Sequence, residues 1–586
     1  MTIKKKKSVI SKKPKESIHY KIKIQQPHLH YYHVELKMKV KAEKIVLTMP
    51  SWSPGSYVIR NYSGLLHKFE ACLENGKAVP WKELNLEQWE ILSKGKTIKI
   101  SYLVYSFEHS VRSNFLDTEY GFINPPALFL YPQDDIFRAN VEIELETSPF
   151  FKYVYSPLPK NKKGNFVAKD FDELYDSPFQ ISNQKSMVFE SQGCSHEIII
   201  EGRKYPDIEE NLISDLKKII SFETKLMGDM PNKYYLFILN LTENIYGGLE
   251  HSACSVNSFD PMKLTLKEEY TKLMGLLAHE YFHLWNIKRI RPIALGPFDY
   301  TSPNLTRDLW MAEGITSFYD NYTLLKTKVY TPEEYLEEIK NDWSKLERVC
   351  GEDWMSMEES SFTAWNKFYK QNSNSHNTGI SYYTKGAILT LCMDLFIRKR
   401  TDCKKSFIDI MRLLYKKYYI SLNRGFTKEE FFQTSTEATN VDLAKEFDIY
   451  LTKRKTIPLM DYLQIIGVQI IESEIASDLS FSTKTVSGKE VICKIYEHKN
   501  AGLVDINLND ELIAIDGYRI NAQNLESVKK QIKPNVDVQL LLARRGIIIQ
   551  RTIKSETTFM KKKLQFMKDI DEETLKFRKN FFEGEI

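Results

Sequence analysis

The chain has 586 residues, of which 42% are hydrophobic, 12% aromatic and 27% charged, and its formal net charge is +5. That length exceeds what one hydrophobic core serves, so three or so domains are expected, and the balanced composition excludes a disordered, fibrous or membrane-embedded chain. The charge is small for this length, and much of it can come from the first residues alone, so it gives no sign of a broad nucleic-acid-binding surface.

Residues 1–16 form a basic tail containing Lys4, Lys5, Lys6, Lys7, Lys12, Lys13 and Lys15. It is expected to be solvated and disordered, with recruitment to nucleic acid or an anionic lipid surface as the alternative. No aromatic side chains interleave with the lysines, so no nucleic-acid site is expected there. Ser8-Val9-Ile10-Ser11 is too short for the apolar core of a signal peptide, and no later stretch is long enough to span a bilayer. The seven cysteines are scattered without metal-type spacing, which suits reduced thiols in a cytoplasm.

From 17 to 190 the chain reads as an antiparallel β-sandwich. Ile18, Tyr20, Ile22 and Ile24 alternate with polar residues, as do Tyr32, Val34, Leu36, Met38 and Val40, and then Ile98, Ile100, Tyr102 and Val104. Period two sends one face of each strand to a core and the other to water. Pro54-Gly55 and Asn75-Gly76 mark turns between the runs.

From 191 to 456 a mainly helical domain is expected. Glu209 to Met227 has helical spacing, and Tyr234 to Leu241 is a short apolar run better suited to a strand. A helix is predicted to begin at Thr265 under a capping box with Glu268, and Pro292 must stop it. Residues 457–556 make a third unit with a short helix (525–532) and a hairpin turning at Arg545-Gly546. Residues 557–586 read as a charged segment with helical character.

His279-Glu280-Tyr281-Phe282-His283 is an H-E-x-x-H motif. Residues four apart on a helix lie one turn above each other, so both imidazoles reach one ion, and Glu280 stands beside them to take a proton from activated water. Two imidazoles and a carboxylate inside an apolar helix are costly to bury unpaired. One catalytic zinc per chain resolves this if a third protein ligand exists, and Glu313, 30 positions after His283, offers it from a second helix. Asp320, two turns beyond Glu313, is either a support for a ligand histidine or a surface acid.

HEYFHLWNIKRIRP from His279 and LWMAEGITSFYDNY from Leu309 together resemble the glycyl aminopeptidase family, peptidase family sixty-one, a distant relative of aminopeptidase N among the gluzincins. The resemblance implies a thermolysin-like catalytic domain and extends to Tyr246-Gly247-Gly248-Leu249-Glu250-His251. There it implies a strand lining the substrate cleft, with Glu250 binding the free α-amine; on composition alone Gly247-Gly248 reads equally as a turn. Tyr382-Tyr383-Thr384-Lys385-Gly386-Ala387 is similar to the segment whose tyrosine stabilises the oxyanion, and Tyr383 is the matching position with Tyr382 beside it. Pro50 to Tyr57 (PSWSPGSY) is similar to the N-terminal β-domain signature, and the C-terminal unit resembles the family's PDZ domain. It departs from PDZ pattern in having Asn509 before Asp510 and no evident Gly-Leu-Gly-Phe loop.

The expected function is zinc aminopeptidase, removing residues, by resemblance Gly or Ala, from peptides with a free N-terminus. A zinc endopeptidase sharing the metal site and an inactive peptide-binding scaffold are the alternatives. The oligomeric state is left open.

Overall fold

The computed structural model describes residues 17–133, 138–202 and 208–584, and the basic tail lies outside them. The chain divides into two compact units. Among the described residues, one comprises 17–217, 230–284 and 298–304; the other comprises 218–229, 285–297 and 305–584.

In the first unit the period-two runs form strands Ser17–Lys23, Tyr31–Lys39 and Thr97–Tyr105, whose alternate side chains are buried in one core. They sit in a six-stranded sheet, and two four-stranded sheets accompany it. Several buried tyrosines bring hydroxyls into this core and donate to backbone carbonyls, among them Tyr20 to Leu130, Tyr32 to Phe115 (2.9 Å), Tyr102 to Leu128 (2.9 Å) and Tyr175 to Phe129 (2.9 Å). A buried phenol left without such a partner would cost roughly 1–3 kcal/mol. The expectation of purely antiparallel pairing is corrected at one place. Ser17–Lys23 runs parallel to Asn140–Glu146, which is possible because the intervening chain makes a long crossover through the other sheets.

The same unit holds a five-stranded sheet, ordered Met187–Ser191, Cys194–Gly202, Tyr234–Leu241, Cys254–Phe259, Gly247–His251. Its inner pairs are parallel and its outer pairs antiparallel, so Gly247–His251 is an edge strand. The motif helix, Lys267–Phe282, is anchored to the sheet through Tyr281. That ring meets Tyr235 edge-on at 4.8 Å and stacks with Phe237 at 5.7 Å. The helix starts at Lys267, not at Thr265, and Leu266 occupies the cap without a side-chain bond. The preceding residues are already committed to a 3₁₀ turn (Pro261–Lys263) capped by Asp260, whose bonding continues to Leu266. The capping box is therefore not formed, and Glu268 and Glu269 instead favour the helix start by their charge.

The second unit is mainly helical. Tyr382–Arg400 is buried along most of its length, and Ile315–Lys326 and Pro332–Glu347 pack with it. Capping boxes at Thr331/Glu334, Ser356/Glu359 and Thr427/Glu430 start three helices.

C-terminal to these helices, a sheet ordered Phe481–Val486, Lys489–Ile495, Glu511–Ile515, Asp537–Arg544, Ile547–Lys554 closes over its own core with helix Leu525–Gln531. Its hairpin turns at Arg545 and Gly546, both at positive φ (51° and 83°), the backbone of a type I′ turn. Residues 557–566 do not begin a helical tail. They lie within strand Glu556–Phe566, which pairs antiparallel with Val468–Asp478, Lys562 meeting Glu472 at 3.0 Å. The helix follows at Glu572–Phe582 and buries Phe577 and Phe581. Among the described residues no helix is long and apolar enough to cross a membrane, and all seven cysteines are unpaired.

Candidate metal centre

Leu273, Met274, Leu276, Leu277 and Ala278 are strong helix formers, all buried, and they carry the motif helix to its last turn. That turn presents His279 and His283 with ring centroids 4.7 Å apart and planes at 85°. His279 is half-buried, while Glu280 and His283 are 5% and 1% exposed.

The edge strand comes close to this turn because Gly248 has no side chain. A Cβ there would lie 2.0 Å from a carboxylate oxygen of Glu280. Two residues on, Glu250 is 4% exposed, and one donor atom each from Glu250, Glu280 and His283 lies within 4.8 Å of the others. Gly247 opens the strand, and Arg112 donates to the Gly248 carbonyl at 2.9 Å.

Glu313 is 3% exposed and lies in a π-helical turn, Trp310–Gly314. Such turns recur at functional sites, because the extra residue re-aims side chains. Asn286 holds this turn in place. Its amide donates to Met311 O (2.8 Å), Ala312 O (3.1 Å) and Thr316 Oγ1 (2.9 Å). Behind Glu313 the chain crosses helix Tyr382–Arg400 glycine to glycine: a Cβ on Gly314 would lie 2.5 Å from the Gly386 Cα.

The Tyr383 hydroxyl is 2.8 Å from that of Tyr369, which also accepts from Tyr382 at 3.2 Å. Burial first, then the Glu313 charge, pushes the Tyr383 phenol well above its ordinary range. Tyr382 is fully buried, whereas Tyr383 is half-buried. Asp320 is half-buried two turns beyond Glu313 and belongs to neither cluster of donor atoms.

The second cluster comprises His279, His283 and Glu313, again within 4.8 Å of one another. Two nitrogens and a carboxylate oxygen at this spacing are the donor set of a catalytic zinc site that keeps a position open. Glu250 and Glu280, buried within 4.8 Å of each other beside the shared His283, are expensive without a cation nearby, so the residues fit a metal.

The packing beneath the motif gives a pH expectation. His196 is fully buried, with Nε2 2.9 Å from the Tyr281 hydroxyl and Nδ1 3.0 Å from the Cys194 carbonyl. Burial lowers its pKa to about 4 from 6.5. The unfolded chain therefore binds the proton first, and stability present above pH 6.5 is lost as pH falls toward 4, by about 3 kcal/mol at most. Chemical denaturation at pH 7 and pH 4.5 should show a smaller acid loss in His196→Gln than in wild type.

Asn286 and Arg112 were not singled out from sequence, and Gly55, which packs against Glu250, was read there only as part of a turn and of the β-domain signature. Asn286 stands three positions after His283, where an asparagine carries no metal signal of its own.

Residues 19–183 match the family model of the peptidase M61 N-terminal domain, and residues 272–389 match that of M61 glycyl aminopeptidase. The crystal structure of an aminopeptidase N family protein from Idiomarina loihiensis is similar at a TM-score of 0.90 and 27% identity, over 95% of this chain and 99% of that one. An M1 zinc metallopeptidase from Deinococcus radiodurans gives a TM-score of 0.47 at 11% identity, over 76% of this chain and 95% of that one. No curated protein matches.

Proposed function

We propose that this chain, a peptidase belonging to the M61 glycyl aminopeptidase family, removes single residues from the free N-terminus of peptides using one zinc held by His279, His283 and Glu313. The observation that carries the reading is the convergence of these three donors within 4.8 Å, with Glu280 and Glu250 clustered about the shared His283. When bound, zinc acts as a Lewis acid and makes water acidic enough to ionise near neutral pH.

Glu280 takes the proton from the attacking water and returns one to the leaving amine. Its neighbour Gly248 lets the edge strand approach without displacing that carboxylate. Tyr383 donates its hydroxyl proton in a hydrogen bond to the oxygen that gains charge, a proton that an ordinary phenol already holds at neutral pH. Tyr383 is preferred over Tyr382 because it is the less buried of the two. Glu250 pairs with the substrate's ammonium group and counts off one residue, with Gly247 and Gly248 presenting backbone to the peptide. Asp320 supports the metal ligands from the helix after Glu313. A preference for Gly or Ala at the first position is part of the proposal.

The domain reading takes residues 17–190 as the N-terminal β-domain, 191–456 as catalytic and 457–556 as PDZ-like. The PDZ-like reading is supported by the C-terminal sheet with its single short helix, and by Asn509. That residue adopts φ +70°, a left-handed conformation that asparagine tolerates and PDZ domains usually assign to glycine. Unpaired cysteines suit a reducing cytoplasm.

The test is amine release from Gly- and Ala-anilides beside their N-acetylated forms, with metal content assayed. Acetylation should cost about a hundredfold or more in kcat/KM, because it leaves buried Glu250 without its cation. Equal turnover of acetylated substrate would favour the endopeptidase. No metal and no turnover would leave a binding scaffold.

A further inference from the structure

The loop Pro50 to Tyr57 is held more firmly than a surface turn requires. The Ser51 amide and hydroxyl donate to the Tyr300 carbonyl at 2.9 and 3.1 Å, and Trp52, 1% exposed, donates to the Asp299 carbonyl at 2.9 Å. The Ser53 hydroxyl lies 2.8 Å from that of Tyr62 and accepts from the Asn124 amide at 2.8 Å. Both Tyr62 and Asn124 donate to the Arg112 carbonyl at 2.7 Å, and Arg112 in turn holds the Gly248 carbonyl of the edge strand. One network of N-terminal-domain residues thus ties this loop to the strand that carries Glu250.

At the tip of the loop, Gly55 has φ +82° and meets the Glu250 side chain. A Cβ there would lie 2.6 Å from both carboxylate oxygens and 2.7 Å from Leu249 Cδ1. Real Cβ atoms do not approach so closely, and the loop has little freedom to retreat.

We propose that the Pro54-Gly55 turn is a specificity-determining wall of the amine site. It confines the Glu250 carboxylate and closes the space beyond it, so that a substrate ends at its ammonium group. The proposal rests on Glu250 as the amine anchor and adds a second reason for exopeptidase action, one of shape as well as charge. Gly55 and Arg112 act as positioning residues through Glu250 and its strand.

The test uses the full chain carrying Glu280→Gln, so that peptide binds without being cut, and calorimetry with triglycine and acetyl-triglycine. Gly55→Ala should weaken triglycine binding by about tenfold, the scale of one charge-assisted hydrogen bond, while leaving acetyl-triglycine unchanged. In the otherwise wild-type chain it should raise KM for Gly-anilide by a similar factor, leaving kcat within about threefold and metal content unchanged. Gly64→Ala is the control, because nothing lies within 4 Å of a Cβ there.

Unchanged triglycine affinity in folded Gly55→Ala, or a fall in melting temperature alone, overturns the proposal. If Gly55→Ala does not fold, Ser53→Ala decides. Triglycine binding weakened about threefold supports the wall, and unchanged binding overturns it. If wild type cleaves acetylated and free substrates equally, the amine-anchor reading itself has failed. If wild type discriminates and the variants bind normally, only the wall has failed.

Discussion

Glu280→Gln is expected to bind zinc as wild type does and to hydrolyse Gly-anilide about a thousandfold more slowly, within the range a positioned general base supplies. Glutamine keeps the length and shape of the side chain, so the close approach of Gly248 is preserved and the fold has no reason to change. What it removes is the basic carboxylate oxygen that takes a proton from water, since an amide oxygen accepts hydrogen bonds but is not basic enough to be protonated. Glu280 is 5% exposed, and solvent buffer can replace it only poorly. KM for the free-amine substrate should stay within a few-fold, because Glu250 is untouched. Full metal occupancy with kcat reduced is the signature to measure. A variant retaining more than a tenth of wild-type kcat would show that the proton goes elsewhere.

The second large effect is expected at His283, which belongs to both clusters of donor atoms and is 1% exposed. His283→Ala leaves two donors of the proposed ligand set and strands several buried carboxylates without a cation. Metal content after dialysis should fall to background and activity with it. At a thousandfold excess of free zinc over its dissociation constant, binding adds about 4 kcal/mol to the stability of the folded chain. For a unit of this size that corresponds to a melting shift on the order of 5–10 °C. Chelation should therefore lower the melting temperature of wild type by that amount and leave His283→Ala unmoved. Equal chelator sensitivity in the two proteins would mean that the ion sits elsewhere.

The sequence by itself determined those features in which neighbouring residues interact directly. Alternation at Ile18, Tyr20 and Ile22 marked a strand buried on one face. Helical spacing placed Glu209–Met227, and a continuous apolar run placed Tyr234–Leu241. The shared helix face of His279, Glu280 and His283 was legible because residues four apart on a helix lie one turn above each other. Glu313 was legible by its distance from them and by resemblance.

Tertiary structure decided whatever depends on partners distant in sequence. The parallel pairing of Ser17–Lys23 with Asn140–Glu146 follows from a crossover no local pattern records. Glu556–Phe566 is a strand because Val468–Asp478 lies beside it, since a charged segment has no strong preference of its own. The capping box at Thr265 looked sound locally and lost to a 3₁₀ turn fixed by Asp260. Asn286, Gly55 and Arg112 find their partners only when the fold brings the Glu313 turn, Glu250 and the Gly248 carbonyl within reach, for an amide, an absent side chain and a guanidinium have no chemistry that names their partner in advance.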